Sequence, residues 1–120
     1  MRTRLHALAL GSLLVTWPCI GYAHAVVTHT SIEKTPVAAD RPTEITLHFN
    51  SAIETSHSTV SIVDAGGKAR ALSLTPGTHE PGTLVVALPA LPAGKYALRY
   101  KVLAADGHVT ESVLRFEVKP

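Results

Sequence analysis

The stretch KYALRYKVLAADGHVTESVLRFEV, residues 95–118, decides the fold class of this 120-residue chain. Apolar and polar side chains alternate over residues 95–102 and again over residues 112–118. Because alternate side chains of a β-strand point to opposite faces, each segment is predicted to be a strand with one buried face. The side chains predicted to be buried are those of Tyr96, Leu98, Tyr100 and Val102 in the first strand, and of Leu114, Phe116 and Val118 in the second.

Five shorter segments with strand character precede this stretch. Pro, Gly and Asp separate them, and no helical period of any length occurs among them. About seven short antiparallel strands predict an all-β Greek-key barrel or sandwich of immunoglobulin-like type. Tyr96, close behind Gly94, is a candidate for a tyrosine corner. The five segments are HAVVTHT (24–30), TEITLHF (43–49), STVSIVD (58–64), RALSL (70–74) and TLVVALP (83–89).

The beginning of the chain has the features of a leader rather than of a fold. Arg2 and Arg4 give it positive charge, and the mostly apolar run over residues 7–20 is shorter than the roughly 20 residues of a membrane span. We therefore predict a secretory signal peptide over residues 1–23 and a β domain over residues 24–120, with no membrane span after cleavage.

The cleavage site decides whether one histidine is kept. A cut after Ala23 makes His24 the first residue of the exported chain, whereas a cut after Ala25 discards it. Small residues precede both positions, so the local sequence allows either cut.

Removing residues 1–23 from the 120 leaves a domain of 97 residues with nine basic and nine acidic side chains. This even balance, without a basic patch, argues against nucleic acid as a partner. The only cysteine, methionine and tryptophan are Cys19, Met1 and Trp17, all in the leader. The domain therefore has no disulfide and no sulfur ligand for a soft metal, but it keeps six histidines.

Motifs of common enzymes are absent from the sequence. It has no glycine-rich phosphate loop, no G-x-S-x-G, no H-E-x-x-H and, after the leader, no cysteine to act as a nucleophile. We therefore expect a protein that is not an enzyme.

The segment LAADGHVTES, between the last two strands, places Asp106 two residues before His108. In an extended segment both side chains would project to one side, with Cα atoms about 6.5 Å apart, and could meet at one ion. Gly107 between them leaves the site uncrowded. The alternative is a plain hairpin turn with a solvent-exposed histidine.

His24 strengthens the metal interpretation, because an N-terminal histidine offers both its α-amine and its ring Nδ1. With the imidazole of His108 and the carboxylate of Asp106, this makes three nitrogen donors and one oxygen donor. Such a set suits Cu(II), which also has the highest affinity among the divalent first-row ions. Zn(II) is the competitor.

These residues carry a resemblance to the CopC family of periplasmic copper-binding proteins. The matching segments are AHAVV after the leader, PTEITLHFNSAIE (42–54) and LPAGKYALRYKVLAADGHVTESVLRFEV (91–118), and the resemblance covers essentially the whole exported chain. It implies a Greek-key β-barrel that holds Cu(II) through His24, Asp106 and His108. It also favours the cut before His24, and it implies an inner-membrane copper transporter of the CopD type as partner.

Two departures from the family pattern stand out. Many relatives have a carboxylate two residues after the phenylalanine of the LHF segment, where this chain has Ser51. The segment VDAGGKARALSL (63–74) contains no methionine, which excludes the methionine-rich Cu(I) site of some relatives. The expected function is periplasmic Cu(II) binding for copper tolerance, sequestration or delivery.

Two other functions are compatible with the same residues. One is a copper histidine-brace oxidoreductase, which shares the N-terminal histidine but needs a substrate surface that this small domain with few aromatic residues hardly offers. The other is a metal-free immunoglobulin-like interaction module. The remaining histidines are expected at the surface; they are His29, His48, His57 and His79. His29, which is nearest in sequence to the site, is the one candidate among them for an accessory role.

Overall fold

The computed structural model describes residues 24–75 and 80–120. The predicted leader, residues 1–23, and His79 lie outside the described residues, so the structure does not bear on them. None of the helices within the described residues has the length and apolar character to cross a membrane.

In the described part of the chain, eight β-strands make up nearly all of the regular structure, and two short 3₁₀ turns, Ser31–Glu33 and Thr55–His57, interrupt them. The strands are β1 (Val27–Thr30), β2 (Val37–Ala38), β3 (Thr43–Phe49), β4 (Thr59–Val63), β5 (Ala69–Leu74), β6 (Thr83–Leu88), β7 (Gly94–Leu103) and β8 (Val109–Lys119). All seven predicted strands are present. The sequence missed β2, because a two-residue strand is too short to show any period.

The strands form one hydrogen-bonded order, β1-β3-β6-β5-β4-β7-β8-β2, so consecutive strands are often not neighbours. All pairs are antiparallel except β2 with β8. Strand β5 joins the two halves of the sheet, since residues 69–72 pair with β4 and residues 73–74 pair with β6. The predicted all-β, immunoglobulin-like class is confirmed.

The two halves of the sheet share one hydrophobic core, so the sheet folds over on itself. The alternation in the sequence explains this core, because the buried side chains of β3, β4 and β7 occur at every second residue. Tyr96 of β7 and Leu114 of β8, both predicted to be buried, are only half-buried. The largest fully buried side chains are Ile45, Leu47, Leu84, Leu88, Leu98, Val37, Val86, Val102 and Val118.

The expected tyrosine corner is confirmed at the beginning of β7. The hydroxyl of Tyr96 donates a hydrogen bond of 2.8 Å to the carbonyl oxygen of Pro92, four residues upstream. The bond fixes the path by which the chain enters β7. The opposite end of the same strand leads into the loop that carries Asp106 and His108.

Candidate metal centre

The β7–β8 connection is a tight turn rather than an extended segment. The amide of Gly107 donates to the carbonyl oxygen of Ala104 at 2.9 Å, and the amide of Ala104 donates to the carbonyl oxygen of His108, also at 2.9 Å. Gly107 has a φ of 91°, which a residue with a side chain rarely adopts. The expectation that an extended backbone aligns Asp106 with His108 is therefore wrong, and the reversal of the chain brings the two together instead.

Asp106 and His108 contact each other twice across this turn. Oδ1 of Asp106 accepts a hydrogen bond of 3.0 Å from the backbone amide of His108. The other carboxylate oxygen, Oδ2, lies 3.1 Å from Nδ1 of the His108 ring, and both side chains are exposed. The pair is thus already assembled on the surface.

The amide hydrogen bond from His108, followed by the contact with its ring, lowers the pKa of the Asp106 carboxyl below its ordinary value. Asp106 is therefore a carboxylate at neutral pH. A carboxylate on one ring nitrogen orients an imidazole and leaves the other nitrogen, here Nε2, for a metal. Turning of the His108 ring instead frees Oδ2 to act as a ligand itself.

The chain segment after β3 supports this turn from the side. Ala105 donates its amide hydrogen to the carbonyl oxygen of Ala52 at 2.9 Å, and Glu54 donates to that of Leu103 at 2.8 Å. Between these two bonds, Ile53 and Ala104 form an antiparallel bridge. Residues 52–54 therefore run alongside residues 103–105 and hold the base of the loop.

The same segment also holds the chain next to His24. The amide of Asn50 donates to the carbonyl oxygen of Val26 at 3.0 Å, and the amide of Val26 donates to Oδ1 of Asn50 at 2.9 Å. Ala25 is 1% exposed and belongs to the core. The chain is thus anchored one and two residues after His24, whose own side chain is exposed.

The structure brings together two of the three predicted ligands. Within residues 24–75 and 80–120, no group of three or more His, Cys, Asp or Glu side chains is close enough to hold a metal ion. Asp106 and His108 form a pair, and His24 lies outside it. In the full-length chain the nitrogen of His24 is a peptide nitrogen bonded to Ala23, so the amine donor would arise only on cleavage.

Ser51 stands between the two anchoring points, next to Asn50 and before Ala52. Its hydroxyl oxygen is buried and has no hydrogen-bond partner among the described residues. The backbone is closely packed here, since a Cβ added to Gly82 would lie 2.9 Å from the carbonyl oxygen of Ser51.

Sequence reasoning missed Asn50, because an asparagine after a strand is usually read as a turn residue. Only the pairing of β1 with β3 shows that its side chain holds the N-terminal arm. His57 is exposed as expected, with the hydroxyl of Ser56 3.1 Å from its Nδ1. His48, expected on a solvated face, is half-buried and stacks on His29.

Comparison with known proteins identifies the family to which this architecture belongs. The model of the CopC domain matches residues 27–119 of the chain. The chain belongs to the CopC family. Protein YobA of Escherichia coli strain K12 is 30% identical over 122 residues, which cover 98% of this chain and 96% of YobA.

Two solved structures have the same fold. The crystal structure of CopC from Methylosinus trichosporium OB3b superposes with a TM-score of 0.68 at 27% identity, over 81% of this chain and 95% of that one. PcoC of Escherichia coli, a methionine-rich copper resistance protein, gives 0.60 at 21% identity, over 81% of this chain and all of its own length. The second likeness concerns the fold alone, and residues 24–120 of this chain contain no methionine.

Proposed function

We propose that this chain is a periplasmic Cu(II)-binding protein of copper tolerance, and that residues 1–23 are a signal peptide whose removal makes His24 the N-terminus. Copper is the cargo, held by His24, Asp106 and His108. The observation that carries the proposal is the Asp106–His108 pair, fixed in a turn that is bonded to the segment anchoring the N-terminal arm. Membership of the CopC family supports copper as the ion.

The donor set accounts for the choice of ion. The α-amine and Nδ1 of His24 can bind the same ion, the His108 ring adds a third nitrogen, and Asp106 adds an oxygen. Nitrogen and oxygen donors in a roughly planar set favour Cu(II) over Zn(II), which prefers a tetrahedral set.

The anchored backbone explains how the site closes. Asp106 and His108 need only a rotation of the ring, whereas His24 must swing over them. Because the chain is held at Ala25 and Val26, the backbone next to His24 is already fixed before copper binds. This limits the conformational entropy lost on binding.

A protein that binds copper without catalysing a reaction is suited to sequester the ion or to transfer it to another protein. The exposure of Asp106 and His108 leaves the ion open to a second protein on the solvent side. The family resemblance favours an inner-membrane copper transporter of the CopD type as the acceptor, and we propose this as the partner.

A Cu(II) titration of the chain that begins at His24 tests the proposal. We expect tight binding of the first equivalent, an electron paramagnetic resonance spectrum with nitrogen ligands, and loss of the tight phase in His108→Ala. The matched control is His57→Ala, which removes another exposed imidazole outside the site and should leave the tight phase unchanged. Tight binding that survives His108→Ala would refute the assigned ligand set.

A further inference from the structure

His29 of β1 and His48 of β3 face each other across the edge of the sheet. They are direct register partners, and their rings stack with centroids 4.1 Å apart at an interplanar angle of 13°. His29 is exposed and His48 is half-buried, so solvent reaches the pair. Neither residue belongs to the ligand set proposed above.

A β-bulge creates this pairing. Val27 is opposite Phe49. Two residues further along β1, His29 is opposite His48, which is only one residue away from Phe49 on β3. Without the extra residue, Thr28, the register would place His29 opposite the buried Leu47. Because a one-residue shift moves a side chain to the other face, the bulge turns His29 from the core side to the side of His48.

The hydroxyl of Thr28 lies between the His29 ring and the backbone of His48. It donates to the carbonyl oxygen of His48 at 3.2 Å and lies 3.2 Å from Nδ1 of His29. A hydroxyl has a single hydrogen, so a Thr28 hydroxyl that donates to the carbonyl oxygen is free to accept from His29 in the tautomer that carries its hydrogen on Nδ1. This tautomer leaves Nε2 of His29 with a free lone pair, as in histidines that bind metals and donate their other N–H to an oxygen.

We propose that His29 and His48 form a second, weaker Cu(II) site on the edge of the sheet. Imidazole is a good ligand for Cu(II), and the imidazoles of two residues directly opposite each other on neighbouring strands are close enough to share an ion. The stacked rings point their nitrogens in parallel directions, so each ring must turn about χ2, a torsion with broad freedom in histidine. Water completes the coordination, which makes the site weak and fast in exchange.

The pair shares no ligand with the first site. His29 is three residues after Val26, which directly precedes β1, so their Cα atoms are at most about 10 Å apart. Copper at the pair would therefore be held near the N-terminal arm. The proposal does not depend on the function proposed for His24, Asp106 and His108.

A Cu(II) titration of the metal-free chain beginning at His24, followed by ¹H–¹⁵N nuclear magnetic resonance, tests the second site. We expect a weaker second equivalent that broadens the amide signals of residues 27–30 and 46–49, because Cu(II) is paramagnetic. His29→Ala and His48→Ala should each abolish this second equivalent, and the control His57→Ala should keep it. Thr28→Val, which removes the hydroxyl that orients His29, should weaken it several-fold.

Two outcomes would overturn the proposal. One is binding of a single equivalent by the unaltered chain, and the other is a second equivalent that persists in both His29→Ala and His48→Ala. The variant carrying His24→Ala, Asp106→Ala and His108→Ala separates the two sites, because it removes every side-chain ligand of the first. If the broadening of residues 46–49 remains there, the edge site stands whether or not the first site is assigned correctly.

Discussion

Asn50 binds Val26 at two points, once through its backbone amide and once through its side-chain Oδ1, at 3.0 and 2.9 Å. This double hydrogen bond ties the residues next to His24 to the end of β3. Two residues further on, Ala52 accepts the amide of Ala105 in the loop of Asp106 and His108. A segment of three residues therefore links the N-terminal arm to the loop.

Asn50→Ala is expected to weaken Cu(II) binding although Asn50 is not a proposed ligand. The change removes the acceptor of the Val26 amide, so more of the arm must be ordered on binding. One exposed hydrogen bond is worth about 1 kcal/mol, which corresponds to a roughly fivefold rise in Kd. Calorimetric titration measures this directly.

Asn50→Asp is the conservative counterpart. A carboxylate oxygen still accepts the Val26 amide hydrogen, so the affinity should return at least to that of the unaltered chain. An Asn50→Ala variant with unchanged Kd would show that the arm needs no such anchor.

Asp106→Ala should weaken Cu(II) binding and leave the fold intact. The change removes both contacts that the Asp106 side chain makes with His108, and the turn is exposed at the end of the β7–β8 hairpin. Loss of a group that ligates or orients a metal ligand costs about ten- to a hundredfold in affinity. Circular dichroism and Cu(II) titration together measure the two effects.

Asp64→Ala is the matched control for that change. Asp64 lies in the β4–β5 turn and accepts the amide of Lys68 through Oδ1 at 2.9 Å, much as Asp106 accepts that of His108. Val63 is opposite Ala97 and Leu103 is opposite Val109, so the two turns are at opposite ends of β7. A comparable loss of affinity in both variants would mean that the effect of Asp106 is a general one on stability.

An extra residue ahead of His24 should weaken Cu(II) binding by more than about tenfold, since loss of a ligand costs at least as much as loss of an orienting group. The added peptide bond turns the α-amine into an amide, which is a far poorer donor at neutral pH. The same residue added after Pro120 is the control. Equal affinity of the extended and unextended N-termini would remove the amine from the ligand set.

Much of the fold follows from the sequence, and less of the site does. Alternation over residues 95–102 predicted the buried face of β7, because burial on one side of a strand imposes a period of two. The same rule cannot predict the strand Val37–Ala38, because two residues are too few to show an alternation. Asp106 and His108 were found because local sequence separation decides their contact.

The contacts missed by sequence reasoning are those set by strand register. Asn50 and Val26 are 24 residues apart, and their bond exists only because β1 lies beside β3. His29 meets His48 only because a bulge shifts the register by one residue. Bulge positions are not encoded in any local period, so neither contact was open to prediction from the pattern of apolar residues.

Cu(II) binding is expected to fade as the pH falls through about 6, and the direction follows from the donors. The pKa of Asp106 is lowered by the amide and ring of His108, so its carboxylate stays charged well below neutral pH and does not compete with copper for a proton there. Imidazole and amine groups take up protons at higher pH and must lose them to bind the ion. Titrations between pH 4 and 8 should therefore show the loss near pH 6, and Asp106→Asn should lower the affinity without moving that midpoint much. A loss confined to pH values below about 4, where carboxylates titrate, would assign control of binding to Asp106 instead.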